Sequence, residues 1–134
     1  MRNTRITVAV ACTAAAFLAV GANASPRPPA LLGVDVAEWS VVPSQGAVPA
    51  GDVRLKLRNV GDESHEIVLV RTRAFAQDLP LQGDHARVSP LATVDLEPGE
   101  RATVTVRLRH GSYLLLDNLP WHYWLGTRAA FSVR

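Results

Sequence analysis

Two histidines stand where they could do chemistry. His122 sits inside Tyr113–Arg128, YLLLDNLPWHYWLGTR, wedged between Trp121 and Tyr123 with Trp124 next. His65 opens an apolar run, Ile67 to Val70, far upstream. Imidazole is the commonest protein ligand for borderline metals, and its two ring nitrogens let it ligate with one and hydrogen-bond with the other. The remaining histidines, His85 and His110, fall among turn residues and read as solvated. The sole cysteine, Cys12, lies in an apolar N-terminal stretch. Serines, histidines and aspartates are scattered without a nucleophilic triad, a phosphate loop or a paired-carboxylate motif, so no enzyme is expected.

The local frame around each histidine is specific. Tyr113 to Leu116 suits a buried strand, Asp117-Asn118-Leu119-Pro120 breaks it with turn residues, Gly126-Thr127 closes the loop, and Ala129 to Val133 reads as a final strand. From Gly111 to Gly126 the pattern is G-x-Y-x-L-x-x-N-x-P-x-H-Y-x-x-G, and from Asn59 to Glu66 it is N-x-G-x-x-x-H-E. Both resemble the cupredoxins, the blue-copper family. That resemblance implies that His65 takes the place of the first copper ligand. It also implies that Asp117, His122 and Thr127 occupy the places of the family's cysteine, second histidine and methionine.

The implied metal set is therefore His65, Asp117 and His122, with thiolate and thioether both replaced. A carboxylate in place of a thiolate favours Cu(II) or Zn(II) over Cu(I) and removes the source of the blue colour. Two imidazoles, a carboxylate and a water would also make an open zinc set. Copper is the first expectation, zinc the alternative. A metal-free form is the third reading, in which Asp117 accepts loop N–H groups and the histidines bond to it or to each other. Trp121, Tyr123 and Trp124 either cap the end of the fold or form an aromatic rim at which a protein partner docks.

The elements that must position these residues are short strands. Leu32, Val34 and Val36 alternate with Gly33, Asp35 and Ala37, and Trp39, Val41 and Val42 extend that strand. Val53, Leu55 and Leu57 alternate with Arg54, Lys56 and Arg58; Ala102, Val104, Val106 and Leu108 alternate with Thr103, Thr105, Arg107 and Arg109. Ile67 to Val70 has no polar alternation, as in a strand covered on both faces. Thr93 to Leu96 is a further short strand, and Arg71 to Leu91 is mainly loop, with a helical turn over Ala74 to Leu79. Such strands and turns indicate an all-β sandwich, and the resemblance, from about Val34 onward, adds Greek-key order.

Residues 1–24 read as a secretory signal peptide, with Arg2 and Arg5, an apolar Ile6 to Val20 core, and Ala22-Asn23-Ala24 for cleavage. The core falls short of the ~20 residues of a spanning helix, so no membrane anchor is expected after cleavage. Residues 25–32 read as a proline-rich leader and 33–134 as the cupredoxin-like domain. Two of the 14 Lys+Arg and none of the 12 acids lie in the signal segment, so the remainder is balanced in charge. No basic run supports nucleic-acid binding. The expectation is an exported, periplasmic or secreted, metal-binding module. A metal-free interaction domain and a copper electron carrier stand as the alternatives.

Overall fold

The computed structural model describes residues 6–8, 25–73 and 79–134. In chain order the strands are β1 (Ile6–Val8), β2 (Ala30–Ala37), β3 (Ser40–Pro43), β4 (Ala47–Val48), β5 (Gly51–Asn59), β6 (His65–Thr72), β7 (Leu81–Gln82), β8 (His85–Ala86), β9 (Ala92–Leu96), β10 (Arg101–Leu108), β11 (Gly111–Asp117) and β12 (Arg128–Val133). No helix occurs among the described residues, so none there is long and apolar enough to cross a membrane. One sheet runs β10-β5-β2-β3, the other β1-β9-β6-β11-β12-β4, and β7 pairs with β8 alone. The pairs β2–β5 and β4–β12 are parallel, the rest antiparallel. The architecture is the all-β Greek-key sandwich.

Period-two alternation builds the core. In β5, Val53, Leu55, Leu57 and Asn59 point inward while Asp52, Arg54, Lys56 and Arg58 face solvent. Leu55 pairs with Val104 and Leu57 with Ala102 of β10, so the apolar faces of the two strands coincide. Leu32, Val34 and Val36 of β2 lie beside them. The opposite sheet contributes Ile67, Leu69, Val94, Leu96, Tyr113, Leu115 and Phe131. Tyr113 stacks on Phe131 with centroids 5.6 Å apart. Its hydroxyl donates to the Arg109 carbonyl (2.8 Å) and accepts from the Arg109 amide (3.2 Å), which pins the turn into β11.

A second apolar layer explains the unbroken run in β6. Val68 and Val70, with Leu114 and Leu116 of β11, are buried on the outer face beneath Ala86 and Tyr123. The segment from Leu79 to Leu91 supplies that cover, and its β7–β8 hairpin turns at Gly83, where φ is 65°.

Three details differ from the sequence expectations. Strand β2 starts at Ala30, so Ala30, Leu31 and Leu32 of the expected leader belong to the sheet. Trp39 does not extend β2: Ala37 pairs with Ser40, and the chain reverses at Glu38-Trp39. Trp39 has φ 62°, a turn conformation usually filled by glycine or asparagine, so no turn residue announced it. Thirdly, Ile6–Val8 pairs with β9 as an edge strand. The rest of the expected signal segment, and residues 74–78 of the expected helical turn, lie outside the described residues.

Candidate metal centre

The centre is assembled at one end of the sandwich by β6, β11 and the loop after β11. His65 is the first residue of β6 and pairs with Leu96 of β9. The loop that delivers it is held by Asn59, which is 1% exposed. The Asn59 amide donates to the carbonyls of Glu63 (2.7 Å) and Leu96 (3.1 Å), and its oxygen accepts from the Gly61 amide (2.9 Å). Each polar atom of this buried side chain is thereby satisfied, which removes the cost of burying it.

Asp117 ends β11, opposite Ile67 of β6. Its amide donates to the Thr127 carbonyl (2.9 Å), and the next amide, of Asn118, donates to the Glu66 carbonyl (2.9 Å). The loop that follows is tightly closed on itself: the His122 amide donates to Leu119, that of Leu125 to Trp121, and that of Thr127 back to His122. It is also tied to the β7–β8 hairpin. Asn118 accepts from the Ala86 amide (2.8 Å) and donates to the Ala86 carbonyl (3.2 Å), while the Trp121 amide donates to Asp84 (2.8 Å).

These elements bring His65, Asp117 and His122 together. Nδ1 of His65 lies 2.6 Å and Nδ1 of His122 2.7 Å from the same oxygen, Oδ2 of Asp117. The two rings are 5.7 Å apart at 65°. Oδ1 of Asp117 accepts from the amides of Glu66 (3.2 Å) and Leu119 (3.0 Å). A carboxylate has only acceptor oxygens, so both imidazoles donate from Nδ1 in this arrangement. The His65 and Asp117 side chains are fully buried, and that of His122 is 13% exposed.

The donor set suits a divalent ion. One ligand atom from each of the three residues lies within 4.8 Å of the others. At 2.6 and 2.7 Å the contacts to Oδ2 have hydrogen-bond length, so an ion held by all three residues would need these donors to move apart. The ion would displace both Nδ1 protons. Two buried polar atoms lack hydrogen-bond partners: Nε2 of His65 and Oγ1 of Thr127. Thr127 is backbone-bonded to both Asp117 and His122. His85 and His110 do not join the cluster; His85 pairs with Asp84, and the His110 carbonyl accepts from Arg71.

The sequence reading missed the β2–β3 turn. Trp39 lays its ring edge-on to His122, with centroids 5.3 Å apart, and Oε1 of Glu38 is 3.5 Å from Nε2 of His65. One signal was available: the even positions of β2 face the core, and Glu38 continues that phase with a charge. The Glu63 amide first, then Glu38's own and that of Asp62, hold the Glu38 carboxyl below its ordinary range. Glu66, on the far side of His65 in sequence, is pushed upward by burial, with the neighbouring charges of Asp95 and Asp117 adding to the effect.

The aromatic residues of the loop divide. Tyr123 is buried, accepts from the Leu79 amide (2.7 Å) and lies 4.6 Å from the Arg128 guanidinium. Trp121 and Trp124 are 55% and 65% exposed, and Trp39 and Leu125 are also exposed.

No protein-family model and no curated protein sequence matches the chain. Solved structures do match. The dithionite-reduced auracyanin of the photosynthetic bacterium Roseiflexus castenholzii superimposes with a TM-score of 0.57 at 22% identity, over 81% of this chain and 99% of that one. Auracyanin B gives 0.53 at 25% identity over 85% and 96%. Rusticyanin from Thiobacillus ferrooxidans gives 0.55 at 16% identity over 80% and 79%. The chain is cupredoxin-like, and its sandwich is the fold these proteins share.

Proposed function

We propose that this cupredoxin-like chain is a divalent-metal-binding protein that takes Cu(II) through Nδ1 of His65 and Nδ1 of His122, with Asp117 as third donor. The observation that carries the proposal is the convergence of both Nδ1 atoms on one buried carboxylate oxygen, at 2.6 and 2.7 Å. Two imidazoles and a carboxylate are borderline-to-hard donors, which suit Cu(II) and, as alternative, Zn(II). Bound copper would supply a Lewis-acidic, redox-capable centre. The chain's own groups hold it: β6 fixes His65, the closed loop fixes His122, and the Glu66 and Leu119 amides orient Asp117. No sulfur ligand is available in the cluster, so the role is metal handling or metal-dependent binding rather than blue-copper electron transfer. Export to the periplasm or beyond belongs to the same proposal and rests on the expected signal peptide over residues 1–24.

Calorimetry and electron paramagnetic resonance of Cu(II) titrations test this. His65→Ala and His122→Ala should each weaken binding at least tenfold, while His85→Ala and His110→Ala should leave it unchanged. Equal losses from all four would mean adventitious surface binding. A wild-type protein that takes up neither Cu(II) nor Zn(II) would instead favour the metal-free interaction domain. The exposed Trp121 and Trp124 beside His122 support that second reading.

A further inference from the structure

His65 is buried with both ring nitrogens facing carboxylates. Nδ1 meets Asp117; Nε2 has no hydrogen-bond partner and meets only Oε1 of Glu38, at 3.5 Å. Glu38 is not loosely placed. Its Oε1 accepts from the amides of Asp62 and Glu63, both at 2.9 Å. The space it occupies exists because residue 61 is glycine: a Cβ there would lie 2.2 Å from Oε1 and 2.6 Å from Oε2. The same loop, 59–64, is the one Asn59 braces and the one that delivers His65. Carboxylate, loop and imidazole are thus one unit.

We infer that Glu38 is the positioning residue of His65: it accepts a hydrogen bond from Nε2–H when Nδ1 is given over to a metal. In the hydrogen-bonded arrangement Nδ1 carries a proton toward Asp117. An ion at Nδ1 would take that nitrogen's lone pair, so the one hydrogen of the neutral ring would leave Nδ1 for solvent and be regained from solvent at Nε2, which faces Glu38. Oε1 of Glu38, 3.5 Å from Nε2, is the carboxylate oxygen that would accept from that N–H. A carboxylate behind a ligating imidazole fixes its tautomer and raises its basicity, and loss of such a partner commonly weakens metal binding 10–100-fold. The β2–β3 turn, which carries no ligand, therefore helps to hold the metal.

This inference rests on the metal-binding reading above, and the experiment separates the two. Cu(II) affinity is measured by calorimetry for the wild type, Glu38→Ala, Glu38→Gln and Gly61→Ala. Nitrogen-15 correlation spectra of the Zn(II)-loaded proteins report the His65 tautomer. Glu38→Ala should weaken Cu(II) binding 10–100-fold and shift the His65 Nε2–H resonance. Glu38→Gln keeps an acceptor oxygen and should recover most of the affinity. Gly61→Ala leaves both Glu38 and His65 in the sequence but drives the carboxylate out of its seat, so it should behave like Glu38→Ala. If wild-type protein binds neither metal, the functional reading falls and this inference with it. If wild type binds, but Glu38→Ala and Gly61→Ala match its affinity and its Nε2 resonance, the role of Glu38 alone is overturned. Lowered thermal stability of Glu38→Ala with unchanged affinity and resonance would also overturn it, because a purely structural brace of the loop gives that result.

Discussion

Single side chains decide whether the centre forms. Asn59 illustrates this best, because it never touches a histidine. Replacing it by alanine removes a partner from the half-buried Gly61 amide, the Glu63 carbonyl and the buried Leu96 carbonyl. Buried groups left without partners cost about 1–3 kcal/mol each, with partial relief from relaxation, so Asn59→Ala should destabilise the protein by about 2–3 kcal/mol in urea unfolding. A loss below ~0.5 kcal/mol would show that the loop is not braced through this residue. At this scale the sequence was informative where a residue belongs to a recognisable frame. His65, Asp117 and His122 were singled out through the resemblance of their two motifs to the cupredoxins, and Asn59 opens the first of those motifs. Glu38 showed only as a charge in the core-facing phase of β2, and Trp39 not at all. Their importance depends on a chain reversal at Trp39, whose positive φ no local residue type betrays.

At the scale of elements, alternation carried most of the information. β5 and β10 have their expected faces because polar and apolar residues trade places at every step, and a one-residue slip would bury Arg54, Lys56 and Arg58. The β2–β3 hairpin and the β7–β8 hairpin were less legible. The first lacks a turn signature, and the second consists of two-residue strands. Cross-strand charge pairs add a smaller contribution. Asp35 of β2 pairs directly with Arg58 of β5, whose guanidinium donates to it at 2.8 and 3.1 Å. The Arg58 hydrogen bond, then its charge and that of Arg101, hold the Asp35 carboxyl below its ordinary range. A carboxylate depressed on folding stabilises the folded state above its unfolded pKa, and this contribution is lost as pH falls through the folded one. Both side chains are 47% exposed, so the effect is small and screened by salt. Asp35→Asn should therefore lower the melting temperature slightly at pH 7 and not at all in acid below the folded Asp35 pKa. A deficit that persists there would assign the loss to packing instead. A second element-scale test is Tyr113→Phe, which removes both bonds to Arg109. It should cost about 1 kcal/mol by denaturant midpoint, while the Phe131 stacking survives.

The whole molecule has the cupredoxin sandwich, and the proposal that its sulfur ligand places are filled by Asp117 and Thr127 can be tested directly. Asp117 lies at the strand end where the family resemblance puts a cysteine, fully buried and within hydrogen-bond reach of both imidazoles. Cysteine is one atom shorter than aspartate. Asp117→Cys should therefore open space between its sulfur and the two Nδ1 atoms, the room that an ion needs. Thr127 is also fully buried, its hydroxyl unpartnered, and its backbone is bonded to residues 117 and 122. Thr127→Met is larger and costs some packing, commonly 1–3 kcal/mol for an overfilled site, but it adds a weak axial thioether. Trp121 does not block this redesign: its side chain is 55% exposed, and its φ of 68° suits glycine better than tryptophan. Wild-type protein with Cu(II) at this centre should be pale, because the cluster offers no thiolate to give charge transfer. The Asp117→Cys, Thr127→Met variant should turn intensely coloured and cycle reversibly between Cu(II) and Cu(I), with or without Trp121→Gly. Visible absorption and voltammetry provide the readout. A folded variant that binds copper without a thiolate charge-transfer band would mean that residue 117 does not stand at the ligand position. The correspondence of His65, Asp117 and His122 with the cupredoxin ligand places would then have to be abandoned, although the fold would stand.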